Sequence, residues 1–344
     1  MRRSLAKFTT QCWSWRPGMA NWYGALLKSA LGALDGRSFD VTRIMDSSLR
    51  EVACKIRPLT AGEVRRNGRS FAPKSHSVIE FSLKEYDSTA AREQLLSDND
   101  TMPVEEIETL LSYFIGYELE RFCESIVFLV NLSHCGVLST ENTRVTVGRD
   151  LISQGSYHIL PIDSSSSSYP FLTRAPSMSV SFEETLEWSK SCGGFWGGKA
   201  TKNVEKALMF FSHGSERGAS PLPVHEILWI TAALEALACD NSSSISQQLR
   251  KRLPQVCSRI DFKDLAGFVR DAYDFRSRLF HGDIAIDSRL NPDEVSWQPQ
   301  RYDARLEHFA LGLRLLLISA LWDCIAKGSY EIRFEENPVF VRAQ

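Results

Sequence analysis

The chain has 344 residues, 43% of them hydrophobic, which is enough to bury a core in each of two ordinary domains and excludes disorder as its default state. A formal net charge of -2 excludes a large passive cationic surface, so any nucleic-acid contact must be a local patch. Eight scattered cysteines, with no CxxC pair and no Cys/His cluster at zinc spacing, point to free thiols in a reducing cytosol, with no metal and no cofactor implied.

Arg2 and Arg3 are followed by polar and aromatic residues and not by an apolar run, so no signal peptide is expected. Trp13, Trp15, Trp22 and Tyr23 read as packing residues, with a base-stacking platform as the other reading. A helix is expected near Ala25 to Leu34, closed by Asp35 and Gly36. Residues 52–58 and 77–86 are rich in strand formers. Between them, Arg65, Arg66, Arg69 and Lys74 surround Asn67-Gly68 in a basic turn, read as a solvated hairpin loop or a phosphate-backbone contact.

Residues 103–132 carry the strongest helical pattern of this half, with Glu105 and Glu106 in the first turn where they complement the helix dipole. Further strands are expected at 137–147 and 157–162. The serine run that ends at Ser168, followed by Pro170 and Pro176, has the composition of a linker. Beyond it helices are expected at 182–191, 201–213, 224–239, 244–257, 262–280 and 302–327. The break Cys192-Gly193-Gly194-Phe195-Trp196-Gly197-Gly198 reads as a mobile loop with two aromatics at its tip, or as a lid. The apolar stretch 309–326 contains Arg314 and Asp323 and reads as a buried helix, not a membrane span.

One helix breaks the pattern. At about 100° per residue, Leu265, Phe268, Val269, Ala272, Leu279 and Phe280 share a side, and Arg276 falls in the middle of it. An unpaired buried guanidinium is expensive, so a carboxylate must meet it or the face must line a cleft. Glu235 projects likewise into the apolar face of residues 224–239. The two charges are therefore expected to meet. His281 follows at the helix exit, and Gly282 reads as its terminator. By itself, a histidine there is more often a cap on the dipole than a catalyst.

The run Tyr273-Asp274-Phe275-Arg276-Ser277-Arg278-Leu279-Phe280-His281-Gly282, with Ala233-Leu234-Glu235-Ala236-Leu237 upstream, resembles the signature of HEPN domains, particularly the Apea-like branch. The resemblance covers roughly residues 181–328. It implies a compact helical bundle, usually dimeric, that often acts as a metal-independent endoribonuclease. On transfer it gives His281 as general acid or base, Arg276 as phosphate anchor, Ser277 as an auxiliary hydrogen-bonding group and Arg278 as a backbone contact. Ser277 is a departure, since many members carry Asn, Asp or His directly after the Arg.

RNA cleavage needs no metal when the 2′-OH is the nucleophile. Histidine then suits proton transfer near neutral pH, and arginine suits a phosphate. Glu235 joins the expected catalytic set as partner of Arg276. Tyr273, Arg250, Lys251 and Arg252 join Arg278 as expected substrate contacts, although a solvated helix face is the commoner account of such a basic triplet. Five residues of ideal helix place Arg276 and His281 about 140° apart, so convergence requires an unwound last turn or two copies across a two-fold axis. The remaining histidines, His76, His134, His158, His213, His225 and His308, match no catalytic spacing.

The expected fold is thus α+β. A mixed α/β domain (1–163) with a sensing or regulatory role is followed by a linker (164–180), an all-α HEPN-like bundle (181–330) and a C-terminal tail (331–344). The expected activity is RNA cleavage by a cytoplasmic homodimer, a toxin or antiviral defence effector with a regulatory protein partner and no membrane contact. The alternative is a catalytically silent HEPN module that binds RNA or protein.

Overall fold

The computed structural model describes residues 6–13, 21–60, 76–98, 103–138, 140–155, 170–174, 180–214, 223–240, 244–283, 301–335 and 337–342. They form two compact units. The first takes the described residues up to 155 together with 180–199. The second takes 170–174, 200–214 and the described residues from 223 onward. The basic turn, the expected strand at 157–162, Trp15 and the serine run lie outside the described residues.

In the first unit β1 (Ala6–Trp13), β2 (Ser38–Asp40), β3 (Leu49–Pro58), β4 (His76–Tyr86), β5 (Thr140–Val147) and β6 (Asp150–Gly155) make one antiparallel sheet in the order β2-β3-β4-β1-β5-β6. Alternation along the strands sorts its two faces. Phe8, Phe81 and Cys54 lie opposite one another across β1, β4 and β3 and are buried. On the other face Glu80 accepts from Lys7 at 3.0 Å and from Arg57 at 2.9 Å.

The helices here are α1 (Asn21–Leu34), α2 (Ser88–Asp98), α3 (Val104–Ser133) and α4 (Phe182–Ser189). Helix α3 lies on the apolar face: Phe39, beside Phe81, has its ring 5.8 Å from that of Phe122. Tyr23 is buried and its hydroxyl donates to the Val137 carbonyl at 2.9 Å, so this aromatic packs and does not stack on bases. Helix α4 starts with a capping box, Ser181 with Glu184, and Arg37 pairs with Glu183. Residues 181–199, expected in the helical half, cluster with the sheet instead. The loop after α4 also differs from expectation. Phe195 and Trp196 are buried against Phe128 and Phe122, with centroids 5.6 and 6.2 Å apart. Burying two aromatic rings outweighs the entropy of ordering a glycine-rich turn.

The second unit contains α5 (Asn203–His213), α6 (Pro223–Ala238), α7 (Ile245–Val256), α8 (Leu265–Phe280) and α9 (Arg301–Lys327). It ends in a hairpin of β7 (Ser329–Phe334) and β8 (Pro338–Arg342), where a tail was expected. Asn203 fixes the hairpin to the helices, donating to the carbonyls of Leu237 (3.1 Å) and Ile332 (2.7 Å) and accepting from the Ile332 amide (3.0 Å). Residues 170–174 are not a linker either. Leu172 bridges to Phe262, and Phe171 stacks on Phe262 at 5.9 Å.

Helix α9 is the core of this unit. Its stretch Arg305–Lys327 is long and apolar enough to cross a membrane, the one such helix among the described residues, but 89% of its most apolar window is buried within the protein. Gly312 permits α8 to approach, because a Cβ there would collide with the ring of Phe268.

All eight cysteines are free, and only Cys239 is partly exposed. Burial pushes the Cys12 thiol up to about 12 and, with help from Glu235, the Cys239 thiol up to about 11. A disulfide-exchange reagent near neutral pH should therefore label Cys239 slowly and the others only after unfolding, since the thiolate is the reactive form. Rapid native labelling of several thiols would contradict the packing.

His134 is buried on α3's C-terminal cap, with Nδ1 2.8 Å from Ser133 Oγ and Nε2 3.2 Å from Ser29 Oγ. Burial holds its pKa below the ordinary 6.5. The unfolded chain then takes up the proton first, so the stability that neutral His134 contributes is present above the unfolded value and is lost as pH falls through the folded one. The urea midpoint of the wild type should drop between about pH 7.5 and about pH 5 more steeply than that of His134→Gln. Parallel pH profiles would count against this role.

Candidate functional site

Helix α8 begins at Asp264, whose side chain accepts from the Gly267 amide at 2.9 Å. Its buried face is Phe268, Val269, Ala272, Phe275 and Leu279. Phe275 takes the core position expected of Phe280, which is instead 41% exposed. The apolar stripe is rotated relative to the expected one, and Arg276 stands at its edge instead of its centre. Edge placement leaves the guanidinium partly hydrated, so it escapes the full penalty of burial.

Arg276 and Glu235 do meet, from α8 and α6. Nη2 lies 3.7 Å from Oε1, with the side chains 30% and 23% exposed. That distance makes an ion pair but no hydrogen bond. Arg276 Nε and Glu235 Oε1 are both buried without a hydrogen-bond partner. Burial raises the Glu235 pKa and the neighbouring guanidinium opposes the rise. The guanidinium carbon also sits over two rings of its own helix, 5.6 Å from the centroid of Tyr273 and 5.0 Å from that of Phe280. Burial, followed by the charge of Glu235, raises the Tyr273 pKa. The arrangement is a cation held by one carboxylate and two aromatic faces, with hydrogen-bonding capacity left over.

His281 is exposed at the end of α8. Its backbone is still helical, and its amide donates to the Ser277 carbonyl at 3.0 Å. Gly282, at φ +78°, reverses the chain, and the Asp283 amide closes on the Arg278 carbonyl at 2.9 Å. This is a Schellman closure, which needs a left-handed residue that only glycine adopts without strain. The last turn is intact, so His281 and Arg276 point about 140° apart within one chain. Ser277 is half-buried and Arg278 exposed, both on α8.

Of the basic triplet on α7, Arg250 and Lys251 are exposed. Arg252 is committed to the fold: it donates to the Ala238 carbonyl at 2.9 Å and to Asp240 at 2.8 Å, pairs with Gln248, and lies 5.1 Å from the ring of Phe334. It is not brought to the Arg276 cluster as a free cation. The side chains of His76 and His225, and all of His158, lie outside the described residues.

Two polar clusters in this unit were not anticipated as such. Arg314 on α9 is 3% exposed and donates from Nε to Oε1 of Glu226 on α6 at 2.6 Å. Asp323, also on α9, accepts from the Ser258 amide and hydroxyl and from Arg259 Nε at 3.1 Å, pinning the turn before α8. The signal was a charge at Arg314 and another at Asp323 in an otherwise apolar run. Among the described residues no group of three His, Cys, Asp or Glu side chains is placed to hold a metal ion.

Comparison with family models, with curated proteins and with solved structures found no match to this chain.

Proposed function

We propose that the second unit is a HEPN-type endoribonuclease that cuts RNA without a metal and acts as a homodimer. The observation that carries the reading is Arg276: a guanidinium 30% exposed in the last turns of a helix, held by an ion pair without a hydrogen bond, five residues before an exposed histidine. A phosphate oxygen fits the exposed nitrogens of the fork, which make no hydrogen bond to Glu235 at 3.7 Å and match an oxyanion well. In the reaction the substrate's 2′-oxygen bonds to phosphorus while the bond from phosphorus to the 5′-oxygen breaks. His281 of one copy takes the 2′-OH proton or supplies one to the leaving 5′-oxygen, and solvent water exchanges the proton at the other oxygen. Arg276 holds the charge that builds on the phosphoryl oxygens. Ser277 and Arg278 flank this group on the helix. The products carry a 2′,3′-cyclic phosphate and a 5′-OH.

The sheet-containing unit is the regulatory half in this proposal, sensing a trigger or binding a partner protein, as suits a toxin or antiviral defence effector in the cytoplasm. The test is incubation of purified protein with mixed cellular RNA in EDTA. Cleavage leaving cyclic phosphate ends is expected; an intact RNA pool rejects the nuclease. A second reading is a silent HEPN module that binds RNA through the same residues. It is favoured by Glu235, which partly neutralises Arg276, and by Ser277 in place of Asn, Asp or His. RNA retained without products, by the wild type and by His281→Ala alike, marks that case.

A further inference from the structure

Helix α6 carries two glutamates that each meet an arginine, and the two pairs are built differently. Glu226 is sealed against Arg314 of α9, which donates to it from Nε at 2.6 Å and also from Nη2. Glu235 meets Arg276 of α8 only at 3.7 Å, beyond hydrogen-bond reach, and both side chains stay partly open to water. Its Oε1 is buried without a hydrogen-bond partner, so this oxygen has given up hydration and gained no donor in return. A pair that serves only to join two helices gains by closing to the geometry of the first; one that has to open gains nothing by it. Nor does Arg276 depend on Glu235 for its position. Its guanidinium carbon lies over the rings of Tyr273 and Phe280, both on its own helix, so it keeps its place when the carboxylate moves. Cys239, one turn after Glu235, directs its thiol to the Ile245 carbonyl at 3.8 Å. Burial raises the Glu235 pKa against the pull of Arg276, so the charged carboxylate is costly where it stands.

We propose that Glu235 is an autoinhibitory counter-ion, which occupies Arg276 in the resting protein and must swing away before a phosphate binds there. The inference rests on the proposed ribonuclease reading and adds to it how the same site is restrained. A carboxylate and a phosphate compete for one guanidinium, and a carboxylate that stays beside the phosphate repels it. RNA therefore binds only with the surplus left after this exchange, and neutralising the carboxylate strengthens binding. Glu235 transfers no proton in this scheme. That role remains with His281.

The experiment measures binding of a short 2′-O-methylated RNA, which lacks the attacking hydroxyl, to the full chain over a range of salt concentrations. The proteins compared are the wild type, Glu235→Gln, Arg276→Ala and the double variant, with cleavage of ordinary RNA followed alongside. Glu235→Gln keeps the shape and removes the charge, and should bind roughly threefold to tenfold more tightly than the wild type. Its affinity should also fall more steeply with salt, by about 0.7 in the logarithmic slope, since one more phosphate is neutralised. The gain should vanish in the double variant, because it acts through Arg276. Unchanged or weakened binding by a folded Glu235→Gln overturns the autoinhibitory role, while cleavage by the wild type leaves the ribonuclease reading intact. A gain that persists in the double variant also overturns it, showing that the charge repels RNA elsewhere. If Glu235→Gln loses its fold, read by a collapsed urea midpoint, the pair is a structural contact that cannot open, and the inference falls. If neither the wild type nor Glu235→Gln binds or cuts RNA, the ribonuclease reading itself falls, and the inference with it.

Discussion

Removing either member of the Arg314–Glu226 pair is expected to destabilise the helical unit by about 3–5 kcal/mol, the usual penalty for leaving a buried charge uncompensated. Both side chains are almost fully sealed, at 3% and 9% exposure, and Nε and Nη2 of Arg314 meet Glu226 at the same carboxylate oxygen, Oε1. Glu226 Oε2 has no hydrogen-bond partner, so the pair does not recover all the hydration it gives up. Arg314→Leu alone, and Glu226→Leu alone, should each lower the urea midpoint sharply. The double variant should match or exceed the parent, because two leucines of similar bulk carry no desolvation debt at this α6–α9 contact. If the double variant is as unstable as the singles, the loss comes from packing volume and not from the charges.

That pair also shows where sequence reading stopped. Helical periodicity located α3, α5, α6, α7, α8 and α9 to within a few residues, because each buries one face and the 3.6-residue repeat follows from that. It also picked out the two residues that meet across α6 and α8, since a charge beside an apolar stripe demands a partner. It could not choose among partners. Glu226 sits on the same helix as Glu235, and only the rotation of α9 against α6 assigns Arg314 to the former and leaves Arg276 to the latter. The central strand β1 was hidden by Lys7 and by Thr9 to Gln11, which look like a polar N-terminal segment. They occupy a strand whose register comes from β4 and β5, partners far away in sequence. The same holds for the closing hairpin, whose short strands are secured by Asn203 from more than a hundred residues upstream. In α8, an aromatic at 275 and another at 280 are equivalent to a hydropathy count. The packing of Phe275 on Phe309, at 4.9 Å, decides between them.

Complementation between two inactive variants is expected to restore RNA cleavage. Arg276→Ala and His281→Ala should each lose roughly a hundredfold to ten-thousandfold of the activity, the range for removing a proton-transfer group or a charge-stabilising donor. Their 1:1 mixture, allowed to exchange subunits, should recover about a quarter of wild-type activity, since about half of the two-fold dimers are mixed and each mixed dimer has one intact site of two. The reasoning is geometric. His281 keeps its helical hydrogen bond to Ser277, Gly282 reverses the chain only after it, and so the imidazole cannot swing back along α8 to reach a phosphate held by Arg276. A histidine from a second copy has no such restriction. Recovery in the mixture would therefore identify a site shared by two chains. Loss of activity in both variants with no recovery on mixing would place the chemistry within one chain and reject the composite arrangement. Full activity in either variant would remove that residue from the reaction altogether.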